Sequence, residues 1–169
     1  MRIRIANWYD LPAIVEIYNQ AIRSRCATGD MDEFTVDERL DWFNQHSRNS
    51  YPILVAELDQ SVVGFAVLSP YRAGRRAMDS VAEVSFYVDY KHHKMGIGSK
   101  LLQHMMMEAK ELKIDCLVAI LLDINEASIA LLEKHGFNKW AFLPDIIHFE
   151  DKTCSHLYYG IKGLMQSKE

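Results

Sequence analysis

Two glycines one residue apart, Gly96 and Gly98, follow directly on Lys91, His92, His93 and Lys94. A glycine-lined helix start offers free N–H groups, no Cβ to hold a ligand away, and the positive end of the helix dipole. That combination seats a phosphate or pyrophosphate. The same residues would also make an ordinary strand-to-helix turn with a solvated basic cap, and the glycine spacing alone does not separate the two. The run Met95-Gly96-Ile97-Gly98-Ser99-Lys100 lacks the preceding glycine of a Walker loop. It also lacks the third glycine and the following acid of a dinucleotide fingerprint. Upstream, Glu83 stands among Val81, Val84, Phe86 and Val88, where a carboxylate facing the interior is out of place. A solvated strand position, or pairing with Arg75 or Arg76, would equally account for it.

These groups need elements to hold them. Val81–Asp89 alternates apolar and polar residues, as a half-buried strand does. Ile97, Leu101, Met105 and Ala109 then recur at one-turn spacing and predict a helix over Gly98–Leu112. Leu117–Leu122 reads as a strand, which makes a parallel βαβ unit with a right-handed crossover. Asn125 caps a helix over Ala127–Lys134, and Gly136 ends it. Further strands are expected at Arg2–Ala6, Ile53–Leu58, Val62–Ser69, Lys139–Leu143 and Ser155–Ile161, with helices at Asp10–Ser24 and Val36–His46. Asp59-Gln60-Ser61 predicts a hairpin between antiparallel strands. The pattern is α/β: a mixed sheet with helices on both faces.

The glycine loop and the segment Asn125-Glu126-Ala127-Ser128 through Leu132 to Gly136-Phe137, taken in order, resemble the two signature segments of the GNAT family of acetyl-CoA-dependent N-acetyltransferases. Ile3-Arg4, Asp10–Asn19, Tyr51–Glu57 and the strand Val81-Ala82-Glu83-Val84-Ser85-Phe86-Tyr87-Val88 are similar to its phosphinothricin acetyltransferase branch. The resemblance implies a mostly antiparallel central sheet that splays between two parallel strands. It implies that acetyl-CoA, as co-substrate, lies in the splay with its pantetheine along Phe86, Tyr87 and Val88. Its pyrophosphate would sit on His93, Lys94, Met95, Gly96, Ile97, Gly98 and Ser99, with Asn125 and Ser128 completing the site. Glu83 matches the branch's glutamate and would act as the general base that frees the acceptor amine. A backbone N–H near Tyr87 or Val88 would stabilise the oxyanion.

Two positions depart from the pattern. His93 stands where many members carry Arg or Gln, so cofactor affinity becomes modest or pH-dependent. Leu132 replaces the Tyr or His that reprotonates the thiolate, and cannot donate a proton. Water, Tyr87 or another hydroxyl would serve, or the thiolate would leave unaided. The branch's acceptors are small amino-acid-like amines such as phosphinothricin and methionine sulfoximine or sulfone. Arg72 and Arg75 suit their carboxylate, although a solvated loop is the plain alternative. Protein N-terminal or lysine acetylation, and a non-catalytic CoA-binding module, are the competing functions.

Length and composition fit one domain over residues 1–169. A net charge of −4 argues against a nucleic-acid partner. The N-terminus does not read as a signal peptide, and no apolar run is long enough to span a membrane. A cytoplasmic enzyme is expected. Three scattered cysteines and seven histidines without ligand spacing predict neither a disulfide framework nor a metal site. The branch implies a homodimer.

Overall fold

The computed structural model describes residues 1–165. Seven strands form one sheet in the order β1-β2-β3-β4-β5-β7-β6. They are β1 Arg2–Ile5, β2 Ile53–Leu58, β3 Ser61–Pro70, β4 Val81–Val88, β5 Cys116–Leu122, β6 Asn138–His148 and β7 Thr153–Lys162. All neighbours are antiparallel except β4 and β5. The helices are α1 Leu11–Ser24, α2 Leu40–Asn44, α3 Ile97–Glu111 and α4 Glu126–Lys134.

Each helix lies where its apolar stripe can be covered. On α3, Ile97, Leu101, Met105 and Ala109 are all buried, against β-strand residues such as Leu54, Ala66 and Val84. On α1, Ile14 and Ile17 pack on Ile53, Val55, Phe65 and Val67 across the opposite face. Asp59 and Gln60 both have positive φ, 50° and 64°, the geometry of a two-residue hairpin turn that matches strand twist. The segment expected to be one helix over Val36–His46 instead divides into a single 3₁₀ turn, Asp37–Arg39, and the short α2.

Edge strand β1 is fastened by Arg4. Its guanidinium holds both oxygens of Asp10 at 2.7 and 2.8 Å and the Glu57 carboxylate at 2.7 Å, joining β1 to the start of α1 and to β2. Burial pushes the Asp10 carboxyl up, but the Arg4 guanidinium and the Asn7 N–H outweigh it and hold the group below its ordinary value of 3.8. Arg4→Ala would strand a carboxylate that is 6% exposed, and should cost about 3 kcal/mol in urea denaturation. A carboxyl lowered by folding stabilises above its unfolded pKa and ceases to do so as acid protonates it. The parent's contribution from this group should therefore be full above about pH 4 and shrink below it. Its advantage over Arg4→Ala should start to narrow at a higher pH, where the variant's desolvated carboxyl takes up a proton.

Candidate active site

β4 and β5 pair at only three positions, Val81 with Cys116, Ala82 with Leu117 and Glu83 with Val118. Beyond Glu83 the two strands diverge, while β4 stays paired with β3 through Val88 and β5 with β7 through Leu122. The facing edges of Val84–Val88 and Ala119–Leu122 are therefore left without strand partners, and a cleft of about 790 Å³ opens between them. Its walls include Phe86, Tyr87, Val88, His93, Lys94, Gly96, Ile97, Gly98, Ser99, Asn125 and Ser128. Met95 is more than half exposed and does not line it.

The loop leading into α3 is held by hydrogen bonds that the motif does not advertise. The Asp89 carboxylate accepts from Lys91 N–H at 3.0 Å, His92 Nδ1 at 2.8 Å and Gln20 Nε2 at 2.9 Å. Gln20 Oε1 accepts from Tyr90 N–H at 2.9 Å, and the Tyr90 hydroxyl donates to the Gln20 carbonyl. Helix α1 thus braces the loop. Gly96 takes the left-handed conformation that ends it, with φ 77°. The first bond of α3 runs from Lys100 N–H to Gly96 O at 3.1 Å, so Ile97, Gly98 and Ser99 present N–H groups without a protein acceptor. His93 is less free than its motif position suggests, since Nε2 contacts the Val88 carbonyl at 3.0 Å and the ring packs on Tyr90.

Gly98 has an ordinary φ; space is what requires it. A Cβ there would lie 3.1 Å from Leu131 Cδ1, with Val88 and Phe86 side chains at 3.8 and 4.0 Å. Gly98 is half-buried in the wall of the cleft, not in an exposed turn. Asn125 caps α4 through Oδ1, accepting from Ser128 N–H at 3.2 Å. The Ser99 hydroxyl and His135 Nε2 are 2.7 Å apart, tying the start of α3 to the end of α4.

The other face of β4 carries Glu83, Ser85 and Tyr87, and packs toward α1. A second cavity of about 140 Å³ lies there, lined by Tyr18, Arg39, Trp42, Ser69, Ser85 and Tyr87 over apolar Ile14, Val15, Phe65 and Val67. Ser85 and Tyr87 line both cavities, so the two meet at the splayed part of β4. Glu83 lines neither cavity itself; it lies opposite Ser69, which lines the smaller one, and two residues before Ser85, which lines both. It is half-buried, and its side chain forms no hydrogen bond or ion pair among the described residues. Burial raises its pKa above the ordinary 4.5. A desolvated, unpartnered carboxylate is a stronger base than a solvated one.

Tyr87 is wedged between Tyr18 and Phe65, with ring centroids 5.0 and 5.2 Å away. Burial pushes its phenol far above the usual range, so it keeps its proton and can donate a hydrogen bond but releases the proton poorly. Leu132 is 1% exposed and offers nothing to a leaving thiolate. Arg72 and Arg75 are exposed on the loop joining β3 to β4 and line neither cavity. Arg39, Tyr18, Trp42 and Ser85 belong to the second cavity but were not legible as site residues. Glu83 and Ser85 being alternate residues of one strand was the only available hint.

The sequence model of the acetyltransferase (GNAT) family matches residues 11–137. The chain is 38% identical over 152 residues to YwnH of Bacillus subtilis, provisionally named a phosphinothricin acetyltransferase; the match spans 90% of this chain and 93% of that one. It is 34% identical to the L-methionine sulfoximine/L-methionine sulfone acetyltransferase of Salmonella typhimurium, over 86% of this chain and 85% of the relative. Among solved structures, the phosphinothricin acetyltransferase of Sinorhizobium meliloti in complex with acetyl-CoA superimposes with a TM-score of 0.90 at 25% identity, covering 95% of this chain and 87% of the other.

Proposed function

From the premise that this chain belongs to the acetyltransferase (GNAT) family, we propose that it transfers the acetyl group of acetyl-CoA to the amino group of a small amino-acid-like acceptor. Acetyl-CoA is the co-substrate, and the phosphinothricin and methionine sulfone type of acceptor comes from the named relatives. The observation that carries the reading is the meeting of two cavities at Ser85 and Tyr87, beside a half-buried, unpartnered Glu83. One cavity is large and lined by the start of α3; the other is small and aromatic.

The pantetheine arm runs along the unpaired edge of Phe86–Val88, as an added strand would. The pyrophosphate takes the free N–H groups of Ile97, Gly98 and Ser99, with His93, Lys94, Met95 and Gly96 around it and Asn125 and Ser128 across the cleft. Glu83 removes a proton from the acceptor's ammonium, directly or through one water. The amine lone pair then attacks the thioester carbon. A β4 N–H near Tyr87 or Val88 receives the developing oxyanion. Collapse breaks the carbon–sulfur bond and releases the thiolate. The surplus proton on the new amide nitrogen passes to water, and water protonates the thiolate because Leu132 has no proton to give. Arg72 and Arg75 supply positive charge at the β3–β4 loop, near the end of the ladder that carries Glu83 and Ser69.

The protein works as a cytoplasmic homodimer of one-domain subunits. No described helix is long and apolar enough to cross a membrane. β6 leaves Trp140, Phe142 and Ile146 about half exposed, an apolar strip on the edge strand that a second copy would cover. Light scattering should give twice the chain mass, and Phe142→Glu should shift it to the monomer.

Initial rates of thiol release with phosphinothricin, methionine sulfone, the common amino acids and short peptides test the function. Turnover confined to small amino acids supports it. Turnover confined to peptides means a protein acetyltransferase, and acetyl-CoA binding without any turnover means a non-catalytic module.

A further inference from the structure

The second cavity has a cation in its wall, Arg39, that has no ion-pair partner among the described residues. Arg4 and Arg23 each bind two carboxylates. The Arg39 guanidinium carbon instead lies 4.0 Å from the ring centroid of Phe34, 4.7 Å from Tyr18 and 5.2 Å from Trp42. Stacking on aromatic rings engages the face of a guanidinium and leaves its in-plane N–H donors available. Arg39 ends the 3₁₀ turn and occupies the N-cap position of α2 without using its side chain in a capping hydrogen bond. Besides the phenols of Tyr18 and Tyr87, the cavity it lines has two serine hydroxyls, Ser69 and Ser85, flanking the Glu83 position across the ladder and along the strand.

We propose that Arg39 is the anion seat of the acceptor pocket, its in-plane donors taking an oxyanion of the amino-acid acceptor while the acceptor's amine faces Glu83. This rests on the amino-acid acetyltransferase reading above, and names the group by which that site selects its substrate. The oxyanion is the α-carboxylate, or an anionic side-chain group such as a phosphinate. Arg39 is fixed by three rings inside the cavity wall, whereas Arg72 and Arg75 are exposed on a loop. Affinity for an anionic acceptor should therefore depend on Arg39 even when both loop arginines are intact.

The test compares the parent with Arg39→Met and Arg39→Lys on methionine sulfone, methionine sulfone amide and phosphinothricin. Loss of a charge-assisted fork predicts that Arg39→Met raises KM for methionine sulfone about 10–100-fold, with kcat changed much less. KM for the amide should change by less than about threefold, since it has no carboxylate to lose. Arg39→Lys, which keeps the charge but not the fork, should fall between. A KM rise for phosphinothricin alone assigns the seat to the side-chain anion. Equal KM rises for acid and amide, or none, overturn the proposal and leave Arg39 a packing residue. Acetyl-CoA affinity measured by calorimetry checks the fold of each variant, and if Arg39→Met does not fold, the Arg39→Lys acid-to-amide ratio decides. A parent enzyme that acetylates no amino acid overturns the functional reading and this seat together; a parent that does so with KM insensitive to residue 39 overturns the seat alone.

Discussion

Replacing Glu83 with Gln should lower kcat by ~10²–10⁴ while leaving acetyl-CoA affinity near that of the parent. The substitution keeps size and hydrogen-bonding capacity but cannot take a proton at neutral pH. Glu83 lies on the α1-facing side of β4, away from the pyrophosphate loop, so cofactor binding has no reason to change. The pH dependence follows from the same burial. Desolvation raises the Glu83 pKa above 4.5, and only the ionised form is a base. Parent activity should therefore fall with acid at a higher pH than a solvated carboxylate would give. This acid limb should be absent from the variant. Its deficit should narrow as the pH rises, because more of the acceptor then arrives as free amine. Full activity of Glu83→Gln at neutral pH would remove Glu83 as the base.

Gly98→Val should weaken acetyl-CoA binding about 100-fold, read by calorimetry, with little change in melting temperature. The Cβ alone would stand 3.1 Å from Leu131 Cδ1. Two more methyl groups enter the cleft wall beside Phe86 and Val88, where the cofactor is expected to pass. Leu131 is only half-buried and can swing aside, which spares the fold. Gly98→Ala asks Leu131 to move by a few tenths of an ångström and should lie between parent and Val. Unchanged affinity in Gly98→Val would contradict placement of the pyrophosphate at this helix start.

Much of this architecture can be read without coordinates, for identifiable reasons. The α3 stripe, the hairpin at Asp59-Gln60 and the Asn125 cap are local, set by spacing or by the chemistry of one or two residues. The glycine loop is also local, and eleven of the twelve expected cofactor positions line the cleft, Met95 being the exception. What escaped reading depends on contacts between distant segments. Gln20 is an ordinary helix residue until Asp89 and Tyr90 fold against it. Arg39 becomes part of a cavity only because Tyr18 and Phe34, from other segments, meet its guanidinium. β6 runs past its expected end at Leu143 because the strand tolerates an irregularity at Pro144-Asp145. There Asp145 adopts φ 52° and its N–H finds the Ser155 hydroxyl at 3.2 Å. Alternation, the signal by which a strand is recognised, breaks at that irregularity while the pairing with β7 resumes beyond it.

A crystal structure with coenzyme A and methionine sulfone bound together would test most directly where the transfer happens, since this dead-end pair cannot turn over. The expected result has the thiol at the junction of the two cavities, beside Ser85 and Tyr87. The sulfone's nitrogen should lie on the Glu83 side, within about 3.2 Å of the carboxylate or one water away. An acceptor seated outside the small cavity, with its nitrogen out of reach of Glu83 by either route, would contradict the account.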